Sequence, residues 1–511
     1  MAHRTILTPK QREVLFGLPA DEAQLLKHYT LSDEDLDHIG QRRRPRNRLG
    51  FALQLCALRY PGRALLPGEV IPVEIADFLA AQLGLKDADL DAYAAREETR
   101  HEHMASLRQL YGYRTFSGRG ARDLKLWLHG QAEHAVSNED IARRFVEECR
   151  RTLTILPAIS TIERLCADAL VAAEKRIETR IADRLSDDDC VALDDLLFEM
   201  VEDRLTRFVW LRKFEVGNNS AAARRLLDRL DYLRKIDVSP DAFHDVPDHR
   251  ITRLRRQGER YFADGLRDLP GDRRHAILAV CVSEWRRAIA DAVVETHDRI
   301  VGRTWREAAR LCDDRMDGAQ PEVQKTLRSF RDMGAALLEA KNDDVSLEDA
   351  ISSSPGWTDL QTLVAVAARL TDTLSSDPIT HVVQGHKRFR RYAPRMLRLL
   401  EIDGADVAKP LLDAAELIRL DRAHSRPTDF LRRTSKWHRH LKTQTSGDGR
   451  LWEVAVMFHL RDAFRSGDIW LERSRRYGDL KQVLVPAQAA KANARLAVPF
   501  DPEDWLADRH A

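Results

Sequence analysis

From Asp272 to Asp313 a single apolar stripe runs along the chain, and a fold made mainly of strands cannot carry it. Ile277, Cys281, Trp285, Ile289, Val293 and Ile300 recur at steps of four or seven residues, the period of one helix face. Held for some 40 residues, or about ten turns, such a helix extends about 60 Å. Gly302 is the only residue in it expected to cause a kink. A small domain could not cover it, so it serves as a dimer interface or as the spine of a large domain. The rest of the composition agrees. Ala, Leu, Arg, Glu and Asp dominate, while β-branched and aromatic residues are thin, which favours helix over sheet. The expected fold is mainly α: multi-domain helical bundles with one or more long helices. A chain of 511 residues suits three or four domains. We partition it at 1–135, 136–245, 246–342 and 357–511. The polar stretch Lys341–Gly356, which ends in a Ser run and Pro-Gly, is the linker candidate.

Start signals mark several shorter helices. Thr8-Pro9-Lys10-Gln11 offers a capping Thr, Pro at the first helical position and Gln three residues after the cap. Ser32-Asp33-Glu34-Asp35 opens another helix, and Pro45 and Asn47 precede a third over Leu49–Tyr60, which Pro61-Gly62 stops. In this third helix Leu49, Ala52, Leu53, Cys56 and Tyr60 share one face, and Phe51, Leu55 and Leu58 populate another. It should be buried on most sides, with its arginines at the two ends. Farther on, a helix over Asn138–Arg151 is joined to one opening at Ser160-Thr161-Ile162-Glu163, a capping-box pattern. Arg164 and Lys175 fall on the exposed face of the second. The pair reads as a helix-turn-helix or as an ordinary helical hairpin, because the connector is longer than the usual turn.

Charge is segregated within a neutral whole. Lys+Arg and Asp+Glu number 82 and 81, so any affinity for nucleic acid has to come from patches. His38–Gly68 contains Arg42, Arg43, Arg44, Arg46, Arg48, Arg59 and Arg63 and not one acid. At the average composition of the chain about five acids belong there. Two further acid-free windows follow. Pro378–Leu400 carries Lys387, Arg388, Arg390, Arg391, Arg395 and Arg398 with Phe389 and Tyr392 interleaved. Phe430–Gly447 carries Arg432, Arg433, Lys436, Arg439 and Lys442 around Trp437. Cations interleaved with aromatics suit a double-stranded DNA surface, where the cations meet phosphates and a ring packs on sugar or base. The same residues also read as solvated arginines and as basic helices whose aromatics sit in the core.

The first window brings a resemblance with it. HYTLSDEDLDHI (His28–Ile39), NRLGFALQLCALRYPG (Asn47–Gly62) and ILPAISTIERLC (Ile155–Cys166) resemble the amino-terminal region of the large transposases of replicative transposons, the Tn3 family. RSGDIWLERSRRYGDL (Arg465–Leu480) is similar to a motif late in the non-catalytic half of those proteins. These landmarks occur in family order and run nearly from end to end. The resemblance implies recognition of a transposon's terminal inverted repeats and assembly of a homo-oligomer, expected to be a dimer. It also implies that strand cutting belongs to an RNase H-like domain with two aspartates and a glutamate, which follows the matched region in the family and is expected to be missing here. Magnesium is expected only with that domain, so no cofactor and no catalytic or metal residue is assigned to this chain.

Other chemistry is thinly represented. Gly385-His386-Lys387 lacks the upstream glycine of a phosphate loop, and Gly118-Arg119-Gly120 follows no strand. His101 and His103, two apart, point to different sides of a helix, which disfavours a metal site. Asp468 and Glu472 are the only carboxylates inside a strong family motif. Four apart and hemmed by Arg465, Arg473, Arg475 and Arg476, they read as helical ion-pair partners. The six cysteines form no CxxC pair and read as reduced core residues. The amino terminus has no signal core, and no run approaches 18 apolar residues, so the expected setting is the bacterial cytoplasm near the nucleoid, with no membrane contact. Three functions remain open: a DNA-binding half of a transposase, a truncated transposase that inhibits transposition by occupying ends or joining the full-length protein, and a helical scaffold that binds protein alone.

Overall fold

The low β-propensity of the chain is matched in its computed structural model, which describes residues 5–66, 68–85, 97–202, 205–236, 238–342, 346–353, 357–375, 377–421, 426–443 and 449–479. The protein is mainly α, 73% helical. Among the described residues there are two sheets, each an antiparallel pair of short strands: Met200–Glu202 with Leu205–Thr206, and Ile402–Gly404 with Ile469–Leu471. No helix among the described residues is long and apolar enough to cross a membrane.

The chain divides into two compact units. The first is built from Met1–Asp187, Ser239–Arg260 and Asp268–Leu278, the second from Asp188–Val238, Tyr261–Arg267 and Ala279–Ala511. Each unit thus draws on separated stretches of chain.

In the first unit two apolar cores form. One surrounds the helix Pro45–Arg59, whose residues Leu49–Leu58 are all buried. Around it pack Tyr29, Leu31, Ile39, Ile75, Leu79 and Leu107 from the neighbouring helices. The second core joins Leu15 and Phe16 to the helices Gly118–Gln131, Asn138–Arg151 and Ile159–Ala182 through Leu128, Phe145, Cys149 and Cys166. The start signals behave as their chemistry demands at Thr8 and Ser32, each of which caps its helix in a reciprocal box with Gln11 and Asp35. The pattern at Ser160 does not. The helix begins at Ile159 without a side-chain cap, and Glu163 is buried instead. It accepts the Leu7 N–H at 3.1 Å and pairs with Arg12 at 2.7 Å. A distant partner has therefore taken the carboxylate that a local capping box would use.

The long helix runs Gly271–Asn342 over 72 residues, and the second unit is organised on it from Ala279 onward. It is far longer than the stripe suggests, about 108 Å at the usual rise. Beyond Cys312 the stripe thins and Pro321 sits inside the helix, two features that would end a helix supported by its own pattern. The distal part keeps buried positions at Thr326 and Met333, as the helix Trp357–Leu374 does at Leu370, and Arg369 of that helix pairs with Glu322. Tertiary packing carries the helix past its breaker. Of the linker candidate, residues up to Asn342 and Leu347–Ser353 are helical, while 343–345 and 354–356 lie outside the described residues.

The proximal part of the same helix is core. His297 is fully buried, with Nδ1 2.8 Å from the Tyr392 hydroxyl and Nε2 3.0 Å from the Met457 carbonyl. Burial holds it down to about 4, so it is neutral at physiological pH. Asp468 and Glu472 are not helical as expected. The helix Arg450–Ser466 ends at Gly467, which adopts a left-handed φ of 77°, and the chain turns there into the strand Ile469–Leu471. A glycine in that conformation is a common helix stop. Asp468 accepts from the Ser466 hydroxyl at 2.6 Å, and the nearby arginines pair with other acids: Arg465 with Asp298, Arg475 with Glu284 and Arg476 with Glu295.

Candidate nucleic-acid interface

The buried helix Pro45–Arg59 gives the first basic window its rigidity. Pro45 occupies the first helical turn, and Arg44 stands at the cap position in extended conformation with no side-chain cap. The positive end of the helix dipole and the Arg46 N–H therefore lie next to the arginines, while the Asn47 and Arg48 N–H groups donate to the Arg44 carbonyl. Two side chains hold this turn in place. Arg48 donates to the carbonyls of Arg42, at 2.8 Å, and Gly40, at 3.3 Å. Arg42 donates to the Ser106 hydroxyl at 2.7 Å, with its guanidinium 4.4 Å over the Phe51 ring.

At the other end of the helix the positive charge is used internally. Arg59 makes a bidentate pair with Asp35, at 2.7 and 2.8 Å, and Asp35 also accepts from the Tyr111 hydroxyl at 2.8 Å. Burial works to raise the Asp35 carboxyl, but the bonds from Arg59, the Ser32 backbone and Tyr111 outweigh it and hold it at about 2. Arg63 grips Glu69 through both terminal nitrogens and donates to the Phe16 carbonyl at 2.9 Å. The window holds no acid, yet Asp35 and Glu69 reach it from just beyond its two ends. Among the described residues Arg43, Arg44 and Arg46 keep no such partner. Arg43 and Arg44 are exposed and Arg46 is half-buried.

The other two windows lie in the second unit and sort in the same way. Arg388 pairs with Glu307 at 2.8 Å, Arg390 with Asp421, and Arg395 with Asp231 at 3.1 Å. Lys436 pairs with Asp377 at 3.0 Å. Lys387, Arg391, Arg432 and Arg433 are exposed and carry no ion pair among the described residues. The interleaved aromatics do not face a ligand. Phe389 and Tyr392 are buried, and Trp437 packs on Phe458 with ring centroids 5.2 Å apart. Phe389 meets the same Phe458 at 6.3 Å, so one core aromatic gathers both windows. An alternation of cations and rings along a helix is the ordinary amphipathic pattern when the rings point inward.

Of the eighteen basic residues in the three windows, nine are left with neither an ion pair nor a side-chain hydrogen bond among the described residues: Arg43, Arg44, Arg46, Lys387, Arg391, Arg398, Arg432, Arg433 and Lys442. In the first unit Arg164 and Lys175 are also exposed, on the helix Ile159–Ala182, as its periodicity predicts. A search for acid-free windows passes over one class of arginine altogether. Arg299, Arg461 and Arg476 have acids as close sequence neighbours or spatial partners, and only the fold brings them together. Among the described residues no three or more His, Cys, Asp or Glu side chains converge as a metal site would require.

The chain has relatives. A family profile described as "Domain of unknown function (DUF4158)" matches residues 6–169. The "Transposase for transposon Tn3926" of Escherichia coli is 30% identical over 524 residues, covering 100% of this chain and 52% of that protein. The "Transposase for transposon Tn501" of Pseudomonas aeruginosa is 30% identical over 521 residues, with the same coverage of both. The "Transposase for transposon gamma-delta" of Escherichia coli (strain K12) is 25% identical over 532 residues. The chain spans about half the length of the curated relatives it matches. It is therefore homologous, along its whole length, to the amino-terminal half of transposases of the Tn3 family.

Proposed function

We propose that this chain is the end-recognition half of a transposition system, binding the terminal inverted repeats of a transposon as duplex DNA. The observation that carries the reading is the amino-terminal end of the helix Pro45–Arg59, where Arg43, Arg44 and Arg46 stand without counter-charges on a buried, rigid support. Phosphates suit that position, because guanidinium forks and the helix dipole both attract them. Lys387, Arg391, Arg432 and Arg433 extend the phosphate contacts from the second unit. In this reading strand cleavage and joining, with their Mg²⁺, are the work of an Asp-Asp-Glu domain supplied beyond the half matched here. The partners are transposon-end DNA, a second copy of the chain and full-length transposase.

The test is equilibrium binding of the purified chain to its own inverted-repeat duplex and to a scrambled duplex across a salt series. If six to ten phosphates are neutralised, log affinity falls against log salt with a slope of roughly −5 to −9. The repeat should bind more tightly than the scrambled sequence at every salt concentration. Salt-insensitive binding, or none to either duplex, would return the chain to the class of protein-only scaffolds.

A further inference from the structure

Two adjoining cavities in the second unit share a wall of arginine. One, of about 380 Å³, lies among Glu295 and Asp298 of the long helix, the end of the helix Arg450–Ser466 and the turn Arg476–Gly478. The other, of about 430 Å³, runs past Arg306 to the loop Val216–Asn218. Asp298, Arg299, Arg461 and Arg465 line both, so the two make one groove.

The charge in this groove is not balanced. Glu295 is shared by Arg299, at 2.6 Å, and Arg476, at 2.8 Å. Asp298 is shared by Arg461, at 2.8 Å, and Arg465, at 2.7 Å. Arg306 is exposed and has no carboxylate partner among the described residues. Five guanidiniums face the two carboxylates that line the groove, and with Asp462 beside Arg461 at 3.9 Å two positive charges are left unneutralised. Two arginines share one acid elsewhere in the chain too, as Arg176 and Arg180 do at Glu133, but the groove adds Arg306, which has no acid partner among the described residues. Each acid of the groove holds two arginines side by side, which fixes their forks while leaving donors unused, since a guanidinium carries five. Such an array is preorganised for an anion that takes bidentate bonds. Its extension over two cavities suits a chain of anions better than a single small one.

We propose that this groove binds the phosphates of a nucleic-acid backbone, adding a DNA contact apart from the acid-free windows. The inference rests on the DNA-binding function proposed above and names a further site for it. It also gives a role to the family motif Arg465–Leu480, whose Arg465 and Arg476 line the groove while its Asp468 and Glu472 do not.

The experiment uses the full chain with Arg306→Gln and Arg476→Gln together. Arg306 has no carboxylate partner to lose, and Glu295 keeps Arg299, so the thermal midpoint should match that of the parent chain. Duplex binding should weaken equally for inverted-repeat and scrambled DNA, because a backbone contact reads no bases. The salt slope should become shallower by about 2, close to one unit for each phosphate contact removed. Arg306→Glu alone should weaken binding as well, and it is the control if the double variant proves unstable. Unchanged affinity and slope in the folded variants, while replacement of Arg43, Arg44 and Arg46 abolishes binding, would overturn the groove and leave the DNA-binding function standing. No duplex binding by the parent chain would remove both. A variant that keeps its DNA slope but loses affinity for an oligoglutamate peptide of equal charge would assign the groove to an acidic protein partner, and the proposal would fall.

Discussion

Asp35 and its arginine show what single residues contribute to the site and to the fold. Arg59→Ala would leave a carboxylate that is 1% exposed without its cation. Removing one partner of a buried pair costs about 3–5 kcal/mol, and the low end applies here because Arg59 keeps a third of its side chain in water. Replacing Arg43, Arg44 and Arg46 by Ala should leave the melting temperature within about 1–2 °C while weakening all duplex binding, since surface charges contribute little to stability. Calorimetry and a binding titration on the same samples separate the two effects. Asp35 also sets a pH window. Its carboxyl titrates at about 2 in the folded chain against an ordinary 3.8. The stability this difference gives is complete above the ordinary value and is lost as pH falls toward the folded one. Melting temperatures between pH 4 and pH 2 should therefore drop less steeply for Asp35→Asn than for the parent chain. These roles were only half legible in the sequence. An acid-free window counts neighbours along the chain, whereas Asp35 and Glu69 pair across space from just outside it.

At the scale of elements, local chemistry decided some outcomes and distant contacts decided others. The boxes at Thr8 and Ser32 and the buried helix after Pro45 were readable, because cap and apolar period agree with the tertiary structure there. The start at Ser160 was misread because Glu163 has a stronger partner far away. The end of the long helix was misplaced because its support beyond Cys312 comes from another helix rather than from its own stripe. That difference can be measured. Leu53, buried at 3% exposure in the first core, should cost about 2–5 kcal/mol when cut to Ala. Pro321 removes one backbone hydrogen bond from the helix and crowds the preceding turn. Pro321→Ala should restore that bond and slow amide exchange between residues 313 and 325, without altering DNA affinity. Faster exchange there would show that the proline is fitted to the helix as it packs against Trp357–Leu374.

Across the whole molecule the argument concerns which tasks this half can perform. Two-metal strand cleavage needs carboxylates that hold two ions about 3.5–4 Å apart on rigid supports. Among the described residues no such convergence is present, and most of the acids nearest the candidate interface are held by arginines. On the proposal that cleavage belongs to a further domain, the pure chain should leave end-containing DNA intact with Mg²⁺ or Mn²⁺. Expressed beside a full-length relative, it should lower the frequency of transposition by occupying ends or forming mixed oligomers. Metal-dependent nicks lost on changing Asp468 or Glu472 would contradict the first expectation, and unchanged transposition the second. The fold class and the kinship were visible in the sequence because helical periodicity and ordered motifs survive without coordinates. The division of cations into free and committed was not, because it depends on pairs such as Arg395 with Asp231, which lie far apart in the chain.

The bond from Leu7 to Glu163 spans 156 residues and the pair of Arg12 with Glu163 spans 151. A ribosome adding ~5–20 residues per second therefore needs about 8–30 s after Leu7 before its partner exists. Until then the first helix lacks this anchor, while the helix Pro45–Arg59 and its neighbours up to Tyr111 can already close most of their own core, Ile155 excepted. The order of birth and the order of assembly thus differ, and the oldest part of the nascent chain waits for a residue made long after the helices up to Tyr111.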